Sequence, residues 1–226
     1  MNSKTSRLGK KSKSALVNLF TLISNKKEFF LLIFINLILQ IYITYYVFKK
    51  YDSSNESRTT IMIAYLFNFL LILILALIPM PAWLKFFIFS LFSAILGFIL
   101  SSLKPQLGEN AVKSAIAGTF SIFVTMFLFG VVLILTGIKL SYQFGLGLLF
   151  ALLLLIILSI VQYFMVSSSF LRKLIIVFTL LLFSVFIVYD TNSILQRDYS
   201  GDFITASLDY YLDILNIFTA LLADNQ

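Results

Sequence analysis

The sequence predicts an all-α membrane protein, a bundle of seven transmembrane helices with a semi-polar, acidic seventh helix in the centre. Three observations lead there. Of 226 residues, 60% are hydrophobic and 12% charged, with a mean hydropathy of +1.00, a composition outside the range of water-soluble folds. Crossing a hydrocarbon core of about 30 Å takes roughly 20 apolar residues per helix, and runs of that length recur along the whole chain. The connections between them are short, the longest being 49–58, 104–111 and 196–202. No extramembrane domain fits between spans, so function has to sit in the bundle.

In chain order the spans fall at about 29–48, 59–79, 82–103, 112–137, 140–165, 174–195 and 203–222. The first six carry few or no charges. The seventh holds Asp209 and Asp213 inside an otherwise apolar run. All three prolines, Pro79, Pro81 and Pro105, stand at predicted helix ends, where they punctuate rather than kink. Small residues recur at helical spacing in the third span (Ser90, Ser93, Gly97, Ser101) and the fourth (Ser114, Gly118, Ser121, Thr125). Such seams let helix backbones approach closely, which places both spans in the middle of the bundle. Asn36, Gln40 and Thr44 share a face of the first span and are suited to interhelical hydrogen bonds. Tyr42, Tyr45, Tyr46 and Trp83 fit interfacial anchors.

The formal charge of +7 is not a nucleic-acid footprint, because seven of the 17 basic residues lie in the first 27 positions, ahead of the first span. That is a juxtamembrane basic tail, which divides the chain into a cytoplasmic tail, 1–27, and a transmembrane domain, 28–226. Within the tail, 15–23 is apolar enough to lie in the interface as a short amphipathic helix. With the tail included, ten Lys and Arg fall on the N-terminal side, Lys85, Lys139 and Arg197 among them, and seven on the other. The positive-inside rule then puts the N-terminus in the cytoplasm.

The chain has no cysteine and no histidine. Disulfides, thiolate metal sites, iron–sulfur clusters and cysteine nucleophiles are excluded, together with the usual metal ligand and the usual pH sensor. Proton-responsive chemistry near neutral pH must therefore rest on carboxylates. Six of the ten acids (Asp190, Asp198, Asp202, Asp209, Asp213, Asp224) lie in the last 37 positions. On a helix, Asp202, Asp209, Asp213 and Asn216 stand at i, i+7, i+11 and i+14, all on one narrow face. That stripe should look into the bundle or a water-filled path. On the sixth span Asp190, Ser193 and Arg197 share a face. An aspartate at the membrane centre costs about 3 kcal/mol on insertion scales and normally has a partner. At about 1.5 Å of rise per residue, Asp190 lies about 9 Å below the 196–202 turn, Asp209 about 10 Å and Asp213 about 16 Å. Either helix-seven aspartate can thus face Asp190, with simple depth favouring Asp209. Two carboxylates in contact share a proton, and losing it drives them apart and bares oxygens that hard cations such as Ca²⁺ prefer. The plainer alternatives are that Asp190 caps a helix end or pairs with Arg197, and that Asp202 and Asp209 wet the start of a peripheral helix.

At these residues the sequence resembles the Bax inhibitor-1 family, the transmembrane Bax-inhibitor-motif proteins. Tyr189-Asp190-Thr191-Asn192-Ser193-Ile194 is similar to the family's YDTQ-x-I pattern, and Leu208-Asp209-Tyr210-Tyr211-Leu212-Asp213 through Phe218 to its LYLD-x-x-N-x-F pattern. Phe92 to Gly97, and Ala117-Gly118-Thr119-Phe120 with Ile122-Phe123, add support from the third and fourth spans. The resemblance implies a seven-helix fold and a Ca²⁺ leak channel gated by a di-aspartyl pair, without cofactors, with Ca²⁺ as the permeant ion. For eukaryotic members it also implies suppression of cell death from the endoplasmic reticulum, with the Golgi and plasma membranes as alternatives and anti-apoptotic membrane proteins as candidate partners. Asp190 and Asp213 occupy the positions of the family pair, which makes them the pH-sensing gate and a transient Ca²⁺ site. Asp209 matches an additional aspartate of eukaryotic-type members, pointing to a eukaryotic or virus-encoded origin, and with Asp202 it forms a secondary acidic site. Bacterial members carry an arginine near the second-to-third connection that latches the closed pair. Here that connection offers Lys85, a point charge rather than a planar fork, with Arg197 as the other latch candidate.

Three other classes are weighed against this reading. Tyr189-Asp190 followed by Gly201-Asp202 faintly resembles intramembrane aspartyl proteases, but Tyr199 stands where GxGD needs its first glycine and no Pro-Ala-Leu segment follows, so no enzymatic activity is expected. A proton-coupled transporter would show paired, Gly/Pro-broken helices, and they are absent from the sequence. A non-conducting protein that restrains death-pathway partners fits the same residues.

Overall fold

The computed structural model describes residues 2–165, 168–197 and 199–224, with the side chains of 2–20, 22–25 and 163–165 outside that description. Asp198 and the basic side chains of the tail up to Lys13 therefore lie outside the described residues, as do those of the proposed interfacial stretch except Thr21. Seven long helices stand where the apolar runs predict them: α1 (Asn2–Lys50), α2 (Arg58–Leu77), α3 (Ala82–Ser101), α4 (Glu109–Leu135), α5 (Tyr142–Met165), α6 (Ser169–Gln196) and α7 (Phe203–Asp224). Each is long and apolar enough to cross a bilayer, with Lys26–Lys50 as the spanning part of α1. No strand occurs among the described residues.

Helix ends follow local chemistry. Ser57 caps α2 by accepting from the Thr60 amide at 3.0 Å, and Pro81 precedes α3, where its missing N–H goes unused. The largest boundary difference is at α1, which runs back as one helix to Asn2 rather than starting near 29 after a separate short tail helix; α6 starts at Ser169, about five residues before the apolar run expected at 174. Arg172 and Lys173 lower the hydropathy there, but Ser168 caps the helix and the Arg172 guanidinium donates to the Ala223 carbonyl at 2.9 Å, closing the end of α7. A cation at a helix C-terminus is favoured by the exposed carbonyls and the macrodipole.

Helix α7 is the axis of the bundle. It packs against α6, α1 and α4 and touches α3, while α2 leans on α3 and α5 on α6. More than half of its span is buried, whereas α2, α4 and α5 are mostly exposed. Exposure of Leu, Ile and Phe over those outer faces is what a lipid-facing surface requires, since the hydrophobic effect gives no reason to hide them from hydrocarbon.

The two small-residue seams behave differently. Along α3, Ser90 accepts from Gln40 at 3.2 Å, Ser93 donates to Gln40 at 2.9 Å, and Ser101 bonds Ser53 at 2.7 Å. Gly97 faces the Thr44 carbonyl so closely that no Cβ fits. This seam is the docking track of α1, and it confirms Asn36, Gln40 and Thr44 as an interhelical hydrogen-bonding face. The α4 seam does not place that helix in the middle: Ser114, Ser121 and Thr125 point outward. Ser121 and Thr125 bond carbonyls of their own helix at 2.8 and 2.7 Å. Helix α4 instead buries Ala115, Thr119, Phe123 and Gly130 against α6 and α7. A hydroxyl that back-bonds to its own turn satisfies itself and needs no partner helix.

Candidate functional site

The turn joining α6 to α7 sets the site. Ser200 and Gly201 both take positive φ, 50° and 79°, and the amides of Asp202 and Phe203 bond back to Tyr199 and Gly201 at 2.8 Å each. Glycine meets that geometry without the Cβ penalty. The tight reversal brings the end of α6 and the start of α7 side by side with their acids facing.

Asp190 and Asp213 meet there, their carboxyl groups within hydrogen-bonding reach of each other and both within the electrostatic influence of Asp209. Asp213 is only 3% exposed, whereas Asp190 and Asp209 are half-buried. The second oxygen of Asp213, Oδ2, is buried with no hydrogen-bond partner among the described residues. The depth estimate that favoured Asp209 is corrected by this geometry. Counting rise per residue treats both helices as upright and in register, whereas tilt and crossing displace one against the other.

Neighbouring residues in the same two stretches hold the pair in place. Thr191 bonds the Tyr210 hydroxyl at 2.9 Å, and the Tyr210 ring stands edge-on to Phe123 at 5.4 Å between centroids. Asn192 reaches the α4–α5 connection, accepting from the Leu140 amide at 2.8 Å and donating to the Ile138 carbonyl at 3.0 Å. Tyr211 turns the other way, bonding Thr44 of α1 and packing edge-on against Phe89 at 5.1 Å. Ser207 accepts from Asn36. Thr191 and Tyr210 thus join α6 to α7 directly, while Asn192, Ser207 and Tyr211 tie the two helices to the α4–α5 connection and to α1 around the aspartate contact.

Above the pair, Tyr199 hydrogen-bonds Ser193; burial, and then the charges of Asp209 and Asp190, push its hydroxyl above the usual tyrosine range, so it stays a donor. The Arg197 guanidinium donates to the Tyr189 hydroxyl at 3.1 Å, while its backbone carbonyl, with that of Ile194, accepts from Lys26 of α1. Lys85, at the start of α3, reaches Asp202 at 2.5 Å and Thr205 as well. Asp202 also caps α7, accepting from the Thr205 amide at 3.0 Å. Partial burial raises the Asp202 carboxyl, but the hydrogen bonds from Lys85 and Thr205 outweigh it and hold the group below the usual aspartate range. Of the two latch candidates, Lys85 therefore sits on Asp202 and Arg197 on Tyr189. The secondary acids divide, Asp209 joining the pair and Asp202 the lysine. Asn216, the last member of the stripe, lines a separate cavity of about 340 Å³ with Ser159 and Thr179.

Sequence reasoning missed Asn192 and Tyr210 as anchors and the Lys85–Asp202 bond. Asn192 and Tyr210 were legible as polar groups within apolar helices, each needing a partner; Lys85 and Asp202 lie 117 positions apart with no local signal linking them.

Comparison with known proteins bears on the same residues. Positions 14–223 match the family described as inhibitor of apoptosis-promoting Bax1. The Golgi anti-apoptotic protein of vaccinia virus, in strains Lister, LC16m0 and LC16m8, is 34% identical over 80 residues, covering 35% of this chain and 33% of the viral one. The match thus spans about a third of the viral protein's length.

Proposed function

The chain belongs to the Bax inhibitor family, and on that premise we propose that it is a pH-sensitive Ca²⁺ leak channel of an intracellular membrane that restrains cell death. The contact between Asp190 and Asp213 carries the reading. Two carboxyl groups in contact share one proton; when it leaves, like charges a few ångströms apart repel, and α6 and α7 are pushed away from each other at the point where the turn holds them. The bared oxygens suit a hard cation in transit. The partial exposure of Asp190 and Asp209 supports an approach for protons and ions.

The viral relative's description supports the anti-apoptotic part and a Golgi location, with the endoplasmic reticulum expected from the sequence. The basic tail supports a cytoplasmic N-terminus, which puts the α6–α7 turn on the cytoplasmic side and makes cytosolic protons the signal. Candidate partners are anti-apoptotic membrane proteins.

The test is Ca²⁺ efflux from vesicles reconstituted with the chain, measured between about pH 5 and 8, the range that brackets neutrality. Wild type should change its rate across that window, and Asp190→Asn or Asp213→Asn should remove most of the change. Identical pH profiles for wild type and both variants would overturn the gate. A second reading, a non-conducting anti-apoptotic interaction protein, is favoured by the viral relative's description alone. It predicts that cells expressing either Asn variant survive a death stimulus as well as wild type.

A further inference from the structure

On the opposite half of the bundle from the acidic turn, α1 and α4 diverge while both rest on α7. The wedge between them encloses a cavity of about 470 Å³. Its floor is Ile214, Leu215 and Phe218 of α7, and its walls include Tyr45 and Phe48 of α1 and Ile116 of α4. The volume lies in the range of ligand pockets, about 300–1,000 Å³. Its lining is aliphatic and aromatic apart from Thr44 and Thr119, which suits a flexible hydrocarbon chain.

The end of the wedge that leads out of the membrane is basic. The Lys104 ammonium stands 5.3 Å from the centre of the Phe48 ring and is held there by the carbonyls of Lys49 and Tyr51, at 3.0 and 2.6 Å. Lys50 lies 5.5 Å from the Tyr46 ring. Lys113 follows the same face of α4 that carries Val112, Ile116 and Phe120 into the cavity, and it pairs with Glu109 at 2.7 Å. The connections at this end and the first turn of α4 carry Lys49, Lys50, Arg58, Lys104 and Lys113 against Asp52, Glu56 and Glu109.

We infer that this wedge is a binding site for an anionic glycerophospholipid, one acyl chain lying between α1 and α4 on the floor of α7 and the phosphate resting near Lys104 and Lys113. A chain lodged there touches Ile214 and Leu215, the residues that follow Asp213 on α7, and lies beside Thr44, which bonds Tyr211. The lipid therefore packs against the helix that carries Asp213, with neither acid of the pair lining the cavity.

Lipid retention reads the site independently of any conduction. The purified chain is equilibrated with phosphatidylglycerol or phosphatidylcholine, and bound lipid is counted by native mass spectrometry. Wild type should keep phosphatidylglycerol in preference. Lys104→Ala, on a half-buried side chain, and Lys113→Ala, on an exposed one, should each weaken phosphatidylglycerol about fivefold, the attraction of one basic side chain for an anionic headgroup, and leave phosphatidylcholine unchanged. Ile116→Trp, a change on a half-exposed wall, should displace both lipids while helicity by circular dichroism stays at the wild-type value. Equal retention of the two lipids by wild type, or wild-type retention by all three variants, would overturn the site. Because no ion flux is measured, a failure here leaves the di-aspartyl reading standing, and a failure of that reading leaves the lipid site standing.

Discussion

Asp202 and Asp213 belong to one acidic stripe, yet they are neutralised in opposite ways. Asp202, at the mouth of α7, takes a lysine from α3 and two bonds from Thr205, and its side chain keeps 38% exposure. Asp213, three turns deeper, takes another acid from α6 and leaves one oxygen unpartnered. The first arrangement is satisfied over the whole physiological pH range, because lysine and aspartate are both charged there. On the proposed reading, the second is satisfied only while a proton is present. A cation fixes a helix end, whereas a second acid makes the contact conditional.

The largest expected effect comes from making the deep site resemble the mouth. Asp213→Lys would replace the acid pair with an ion pair to Asp190. A buried pair of opposite charges holds at every pH between about 5 and 8, so Ca²⁺ efflux should lie near the closed, proton-bound level of wild type and stay flat across that window. An efflux that still varies with pH would mean the response arises elsewhere.

Next in size is a packing change that reaches the deep site alone. A Cβ at Gly130 of α4 would meet Thr191 Cβ at 2.7 Å and the Val188 carbonyl at 2.9 Å, one turn or less from Asp190. Gly130→Leu should lower stability by about 3 kcal/mol, the upper end of overpacking, seen as earlier unfolding in a thermal or denaturant titration in detergent. Tyr210→Phe should lose about 1 kcal/mol, because it removes the 2.9 Å bond to Thr191 and leaves that hydroxyl its bond to the Ile187 carbonyl. Its aromatic contacts with Phe34 and Phe123 remain.

The same contrast explains what the sequence made legible. Apolar runs near 20 residues give seven spans because each backbone must satisfy its own hydrogen bonds in hydrocarbon, and the acids of α7 mark it as the one helix that cannot face lipid. The pair itself was named by the motifs around Asp190 and Asp213, while depth alone pointed to Asp209, since rise along a helix carries no information about tilt. Ser114, Ser121 and Thr125 misled for a related reason. Small residues permit close approach but do not require it, and their hydroxyls can close on their own helix. The bond from Lys85 to Asp202 was out of reach, because which loop cation meets which cap depends on how α3 and α7 lie in space.

The smallest effect belongs to the mouth. Lys85→Ala should cost at most about 0.5 kcal/mol, since an ion pair with one partner more than a third exposed is screened by solvent and Asp202 keeps its bonds from Thr205. The folded-state carboxyl sits below the usual aspartate range, so its contribution is fully present above the unfolded value near 3.9 and fades as pH falls through the lower, folded one. Unfolding titrations should therefore show a constant gap between wild type and Lys85→Ala from about pH 8 down to 5, closing only below about pH 4. Over the same upper window the pH response of Ca²⁺ efflux should survive the substitution. If Lys85→Ala flattened that response, the ion pair at the mouth and the acid pair below it would be parts of one switch, and the separate roles assigned to them would be wrong.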